Sequence, residues 1–199
     1  MEQPRSKTEA ILAAALQVFA RQGFSGARVE DIAQAAGVGK GTIYEYFASK
    51  QEIFERAVEE GTARYLSRLD EELGALRPAE EKLRRIARLH MAFMAGKRDL
   101  ARIVVSDPGV ISERLKERVL AVRQRVEAKV AQVLAAGMAE QRLRPVEGRL
   151  AARAFLGALA AVAGMELYWN TDWDPLAMAD KVSNLLLDGL RLCGEERRH

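Results

Sequence analysis

The chain has 199 residues, 49% of them hydrophobic, and a formal net charge of +3. This apolar content is enough to bury the core of one or two globular domains, and it excludes a disordered chain. One cysteine excludes an intrachain disulfide, and with only two histidines a metal site is improbable. The charged N-terminus MEQPRSKTEA lacks the apolar stretch of a signal peptide, and no run of 18 apolar residues occurs, so we expect a cytoplasmic protein with no membrane span.

The first 36 residues predict two helices. Ser6 followed by Glu9 is a capping box, which opens a helix that Gly23 ends. Its apolar stripe is Ile11, Ala14, Ala15, Val18 and Phe19. A second stripe of the same kind follows at Val29, Ile32, Ala33 and Ala36.

A tight turn and a third short helix come next. Gly37 followed by Val38 is typical of a Schellman helix end, and the next helix begins near Gly39 or Lys40. That helix buries Ile43 and Phe47. Two short helices around a glycine turn predict a helix-turn-helix, whose second helix can lie in the DNA major groove.

The rest of the chain is also predicted to be helical. Ser49 and Glu52 form a second capping box, which begins a long helix that runs to about Ala75 without a linker. Further helices are expected at about 79–95, 100–105, 115–140, 148–169 and 175–193, and the apolar stripe of the 115–140 helix is Leu115, Val119, Val122, Val126, Val130 and Val133. No stretch alternates with period two, so the fold class is all-α with about nine helices. We place a DNA-binding domain at 1–48 and an effector-binding and dimerisation domain at 49–199.

One segment of this chain resembles a known family. Gly23-Phe24, then Val29-x-Asp31-Ile32-Ala33, then Gly37-Val38-x-Lys40-Gly41-Thr42-Ile43-Tyr44-x-Tyr46-Phe47-x-Ser49-Lys50 is similar to the N-terminal signature of the TetR (tetracycline repressor) family. The resemblance implies a homodimeric transcriptional regulator, usually a repressor, that binds an operator in double-stranded DNA. It also implies that the C-terminal helices hold an effector pocket and the dimer contact. Residues 79–105 and the late YWNTDW loosely resemble the fatty-acyl-CoA-responsive branch.

The candidate DNA-binding residues follow from the helix face and from the resemblance. With Ile43 and Phe47 inward, the outward arc is centred near Glu45. Family positions that contact phosphates or base edges match Lys40, Thr42, Tyr44, Tyr46 and Lys50. The full candidate set is Arg28, Gly39, Lys40, Gly41, Thr42, Tyr44, Glu45, Tyr46 and Lys50.

Several of these residues have a second interpretation. Arg28 is a poor N-cap, so it either reaches the DNA or is solvated while Ser25 caps the helix. Gly41 permits a close backbone approach or merely loosens the first turn. Glu45 either accepts from a cytosine amino group or pairs with an Arg or Lys of the protein. Tyr44 either contacts DNA or packs at the helix surface.

The C-terminal candidates depend on weaker signals. Apolar and adaptable side chains on helices expected to converge suggest an effector site at Met91, Met94, Val104, Val122, Val126, Met165, Glu166 and Trp169. Any one of them could instead fill the core, and Glu166 could form an ion pair with Arg153 or Arg191. The small residues between Gly157 and Gly164, together with leucines of the last helix, predict a four-helix dimer contact or intrachain packing. His90 is expected to be hydrogen-bonded or at the surface.

Three classes of function compete at this point. The first is a repressor that a mainly apolar small molecule, plausibly a long-chain acyl compound, releases from a near-palindromic operator. The second is a DNA-bound adaptor that binds a protein partner and no small molecule. The third is an enzyme, which the absence of a Ser/His/Asp or Cys/His arrangement and of phosphate-loop glycines argues against. No cofactor is expected.

Overall fold

The computed structural model describes residues 6–74, 77–96, 112–169 and 172–190, apart from the side chains of residues 167 and 168. These ranges contain eight α-helices and no strand, which confirms the all-α class. The helices are α1 (Lys7–Gly26), α2 (Val29–Ala36), α3 (Lys40–Tyr46), α4 (Lys50–Gly74), α5 (Ala79–Ala95), α6 (Glu113–Ala139), α7 (Gly148–Tyr168) and α8 (Pro175–Leu190). The helix expected at 100–105 lies outside the described residues.

By packing, the described residues form two compact units. The headpiece comprises residues 6–64 and 112–119, and the body comprises residues 65–74, 77–96, 120–169 and 172–190. The packing boundary therefore falls inside α4, between Arg64 and Tyr65, whereas the functional boundary expected from the sequence lies at 48/49. The first turns of α4 belong with the headpiece because Ile53, Phe54 and Ala57 are buried in its core.

Three aromatic rings form the centre of the headpiece core. Phe19 of α1 stacks on Phe24 at a centroid distance of 5.6 Å, and both rings meet the edge of Phe54 at 5.6 and 5.5 Å. Gly23 brings Phe24 back onto this cluster by adopting φ 72° and ψ 171°, a backbone conformation that side chains with a Cβ disfavour. The predicted break at Gly23 is therefore confirmed as a kink, after which one more turn continues to Gly26.

The body core is built from one face of each of its helices. Leu83, Ile86 and Met91 of α5 are fully buried, and α6 and α7 contribute Val130, Leu134, Phe155 and Leu159. The predicted stripe of α6 is correct at Leu115, Val126, Val130 and Val133 but wrong at Val119, which is 45% exposed. The spacing alone placed Val119 inward, but the residue lies between Leu115, which is buried in the headpiece core, and Val126, which is buried in the body core.

Helix α7 carries an apolar surface that the protomer does not cover. Its segment Gly148–Glu166 is long and apolar enough to cross a membrane by length and composition alone, although most of it is unburied in this protein. Leu150 and Met165 are exposed on α7, and Leu176 and Leu185 are exposed on α8. Among the residues that the structure describes, an added Cβ at Gly157 or Gly164 would meet no atom within 4 Å, so neither glycine serves a close contact with them.

Candidate nucleic-acid interface and effector region

The turn between α2 and α3 has the geometry that its sequence predicts. Gly37 is left-handed, with φ 67° and ψ 31°. The Val38 N–H donates to the Ala33 carbonyl at 3.0 Å, and the Gly37 N–H donates to the Gln34 carbonyl at 3.2 Å. These two bonds form a Schellman motif, which ends α2 and directs the chain into α3. Helix α3 then begins at Lys40, behind Gly39 as an N-cap without a side-chain bond.

Helix α3 presents a polar and aromatic arc to solvent. Ile43 and Phe47 are buried, as predicted, and they fix the helix against the headpiece core. Tyr44 and Tyr46 are 50% and 45% exposed, which is unusual for aromatic side chains that a protomer could bury. Gly41 and Glu45 are also exposed, whereas Thr42 is partly buried. Within the ranges described, Glu45 makes no ion pair, so the structure offers no Arg or Lys partner for it.

Lys40, the first residue of α3, is held by a carboxylate of α2. Its Nζ lies 2.6 Å from Glu30 Oε1 and 5.8 Å from the centroid of the Tyr44 ring. The hydrogen bond from Lys40 lowers the pKa of the Glu30 carboxyl, and the same bond raises the pKa of the Lys40 ammonium. Both side chains remain about half exposed, so the pair is accessible to a competing anion.

Arg28 occupies the N-cap of α2 and makes no side-chain capping bond. The residue is exposed, so its guanidinium is accessible from solvent. Arg28 itself holds the N-cap position of α2, which the alternative interpretation gave to Ser25. A cation beside the positive end of a helix is unfavourable, and Glu30 in the first turn of α2 compensates for it.

Lys50 lies in a different environment from the one its sequence suggests. Its Nζ donates to the carbonyls of Phe24 at 2.7 Å and Ala27 at 2.8 Å, with a longer contact of 3.4 Å to Ser25. The ammonium also lies 4.6 Å from the centroid of the Phe24 ring. Lys50 therefore satisfies carbonyls at the end of α1 and at Ala27, and in this conformation its charge is not directed to a phosphate.

The start of α4 is joined to the end of α3 through a modified capping box. The Glu52 N–H donates to Ser49 Oγ at 3.1 Å, as predicted. The Glu52 carboxylate accepts from the Ala48 N–H at 2.8 Å, one residue before the Ser49 N–H that a standard box would use. Together the two bonds order the three residues between α3 and α4.

The sequence-predicted effector residues separate into three groups. Met91 and Val126 are buried in the body core, and Met94 and Val122 are partly buried against it. Met165 and Trp169 are 57% and 66% exposed, so they do not line an interior cavity of this protomer. The sequence could not predict this, because the composition of an apolar helix does not show which of its faces is buried. Glu166 is partly buried, and Val104 lies outside the described residues.

A polar pair that sequence analysis did not find lies within the body core. The hydroxyl of Tyr65 on α4 is 3.0 Å from His90 Nδ1 on α5, and the Tyr65 ring stacks on Phe93 at a centroid distance of 4.4 Å. Burial raises the pKa of the Tyr65 phenol, and burial lowers the pKa of His90 from 6.5 to about 4. Both groups are therefore neutral at physiological pH. His90 has the hydrogen-bonded role expected of it, but nothing in the sequence identified Tyr65 as its partner.

Comparison with known proteins identifies the family. The model of bacterial regulatory proteins of the tetR family matches residues 11–57, and the tetracyclin repressor-like C-terminal domain model matches residues 76–190. The chain belongs to the TetR family. It is thus a helix-turn-helix transcription regulator and not an enzyme.

Several relatives and solved structures of similar length resemble this chain over most of its sequence. The fatty acid metabolism regulator protein of Bacillus subtilis is 26% identical over 191 residues, which cover 96% of this chain and 98% of that protein. FadR from Bacillus halodurans, a fatty acid degradation regulator, is 28% identical with a TM-score of 0.78, over 96% of this chain and all of that one. FadR from Bacillus subtilis in complex with stearoyl-CoA is 25% identical with a TM-score of 0.74, over 92% and 98%. The nucleoid occlusion factor SlmA of Vibrio campbellii is 26% identical, over 91% and 94%.

Proposed function

We propose that this protein is a homodimeric repressor that a long-chain acyl compound releases from a near-palindromic operator. The observation that carries the proposal is the likeness, over nearly the whole chain, to fatty acid regulators, one of them solved in complex with stearoyl-CoA. The exposed aromatic arc of α3 supports the DNA-binding half of the proposal, and the largely apolar body supports the effector half. Such a regulator works in the cytoplasm, where the operator is.

In the DNA-binding part of the proposal, the exposed arc of α3 and Arg28 contact bases or phosphates. Selection from a random duplex pool should recover a near-palindrome, with half-sites about one helical turn apart or a little more. Tyr44→Ala should weaken operator binding by about 1–3 kcal/mol with little effect on folding, because the ring is half exposed. Gln17→Ala, at an exposed position of α1, is the matched control and should leave binding unchanged. A pool that yields no common motif would contradict the proposal.

In the effector part of the proposal, the acyl chain binds in the body core around Met91, Met94, Val122 and Val126. Stearoyl-CoA, free stearate and coenzyme A without an acyl chain separate the contributions of chain and head group. The acylated compounds should lower operator affinity by about 5- to 150-fold, and operator DNA should weaken their binding by the same factor. Coenzyme A alone should have no effect. Equal operator affinity with and without every acyl compound would reject the effector.

The dimer is assigned to the uncovered apolar surface of α7 and α8. Leu185 is 76% exposed, and Gly157 and Gly164 face open space within the protomer. Met165 and Trp169 fit this surface better than an effector cavity because both are exposed beside it. Gly164→Leu has room in the protomer and gains helix propensity, so it should preserve helicity while it weakens association. Sedimentation of the unmodified protein as a monomer at micromolar concentration would contradict this assignment.

A second candidate function is a DNA-bound adaptor without a small-molecule effector. The observation that favours it is the similarity to nucleoid occlusion factors over most of this chain. The two candidates differ in one measurement. Operator binding that no acyl compound alters, by a protein whose body captures a defined protein partner, would favour the adaptor.

A further inference from the structure

Glu30 is a carboxylate that lies beside positive groups of the proposed DNA-reading surface. Glu30 forms an ion pair with Lys40, and its pKa is lowered by both Lys40 and Arg28. Both cations stand at the positive end of a helix, Arg28 at the N-cap of α2 and Lys40 at the first residue of α3. Two cations beside a helix N-terminus are the usual surroundings of a bound phosphate. In the free headpiece, that environment surrounds the Glu30 carboxylate.

We infer that Glu30 is an internal counter-ion of the DNA-reading surface, which holds Lys40 in the free protein and which a DNA phosphate displaces on binding. This inference rests on the proposed assignment of Lys40 and Arg28 to the DNA interface. Glu30 thereby sets the sequence-independent part of the affinity for DNA. The 2.6 Å contact keeps the two charges together, and the half-exposed state of both side chains leaves Lys40 accessible to a phosphate.

The displacement has a defined electrostatic signature. A lysine that is free before binding releases about 0.9 of a counterion for the phosphate that it neutralises. Lys40 is already neutralised by Glu30, so its transfer to a phosphate leaves a carboxylate that must recruit a cation. The gain in released ions is therefore nearly cancelled for this one contact. Removal of the Glu30 carboxylate should therefore restore the ion release at the Lys40 contact.

The counter-ion also has a consequence for regulation. Coupling between an effector and DNA is typically about 1–3 kcal/mol, so an effector empties an operator only when the starting affinity is moderate. A carboxylate that competes for Lys40 lowers the starting affinity on every duplex. It also re-forms its ion pair whenever the protein dissociates, which favours the released state.

The test compares Glu30→Gln with Asp31→Asn on a short duplex of arbitrary sequence. Asp31 has the same charge in the same helical turn, but it lines a cavity of about 350 Å³ with Arg21 and Gln22 of α1 and makes no ion pair with Lys40 within the described ranges. Glu30→Gln should steepen the slope of log affinity against log salt concentration by about 0.9. Between 1 M and 0.1 M salt, the affinity of this variant for the duplex should therefore rise about eightfold more than that of the unmodified protein. Asp31→Asn should change the slope much less. Lys40→Gln should change the slope little, because Glu30 already cancels most of the ion release at this contact, and Glu30→Gln added to Lys40→Gln should not steepen it.

The outcomes separate this inference from the proposed function. Equal slopes for Glu30→Gln and Asp31→Asn, with unchanged helicity and melting temperature in both, would show that only net charge matters and would overturn the inference. Weaker binding by Glu30→Gln would overturn it as well. A failure of the proposed function would instead appear as an unmodified protein that selects no operator, a measurement that uses neither variant. The arbitrary duplex tests the counter-ion whether or not an operator is found.

Discussion

The hydrogen-bonded pair of Tyr65 and His90 should make this protein sensitive to mild acid. The pKa of His90 is about 4 in the folded protein, against 6.5 for an ordinary histidine, because burial disfavours the imidazolium. The unfolded chain therefore binds a proton at this residue between about pH 6.5 and pH 4 while the folded chain does not. The free energy of unfolding consequently falls as the pH falls through this window, and it is unaffected by His90 above it.

The size of the effect follows from the two pKa values. At pH 5.0 the unfolded residue is almost fully protonated and the folded residue is mostly neutral, which corresponds to a loss of about 2 kcal/mol. The ring is only partly buried, so residual hydration reduces the loss toward about 1 kcal/mol. Tyr65 adds nothing in this range, because burial raises the pKa of its phenol and keeps it neutral.

Urea unfolding of the unmodified protein and His90→Gln at pH 7.5 and pH 5.0 measures this loss. Glutamine keeps a side-chain partner for the Tyr65 hydroxyl but does not titrate. The difference between the two proteins should therefore isolate the histidine from the common effect of carboxylates. The chain has two histidines, so the imidazole NMR signal that disappears in His90→Gln reports the titration directly. Equal loss of stability in both proteins, or a His90 signal that titrates near 6.5, would refute the reasoning.

Three further changes test local features. Gly137→Ala should destabilise the body by about 1–3 kcal/mol, because the added Cβ would lie 2.7 Å from atoms of two neighbouring side chains. Gly164→Ala is the control, because no described atom lies within 4 Å of its added Cβ, and the urea midpoints of the two variants measure the difference. Lys50→Met should lower the free energy of unfolding by about 1.5–3 kcal/mol, because three backbone carbonyls lose their donor. Unchanged stability together with a flatter salt dependence of DNA binding would instead show that Lys50 contacts a phosphate. Gly37→Ala should cost about 1–2 kcal/mol at its left-handed φ of 67°, and Gly37→Asn should cost less in the same melting experiment.

The features that the sequence predicted correctly are those set by neighbouring residues. The cap at Ser6 and the Schellman turn at Gly37 depend on bonds that span three to five residues, so the local pattern contains the whole cause. The burial of Ile43 and Phe47 follows from the helical period in the same way. The placement of Lys50 could not be predicted, because its carbonyl partners lie 23 to 26 residues earlier in the chain.

The body was predicted less well because its helices are apolar on more than one face. In α6 the apolar spacing continues without interruption from Leu115 to Val133, so the pattern could not show that Val119 is exposed between the buried residues Leu115 and Val126. In α7 small and large apolar residues surround the helix, and the pattern could not show that Met165 is exposed while Ala163 is buried. The Tyr65 and His90 pair joins residues 25 positions apart on two helices, a contact that only the tertiary structure reveals.

Two continuous helices contribute side chains to both cores, and this gives the proposed regulation a physical route. Helix α4 buries Phe54 in the headpiece core and Leu69 in the body core, and α6 does the same with Leu115 and Val130. We propose that a ligand which fits the body better in one arrangement of α4 biases the headpiece through this helix, without contacting the headpiece itself. The same coupling requires DNA to oppose the ligand equally, which is why reciprocity between the two ligands is the decisive measurement.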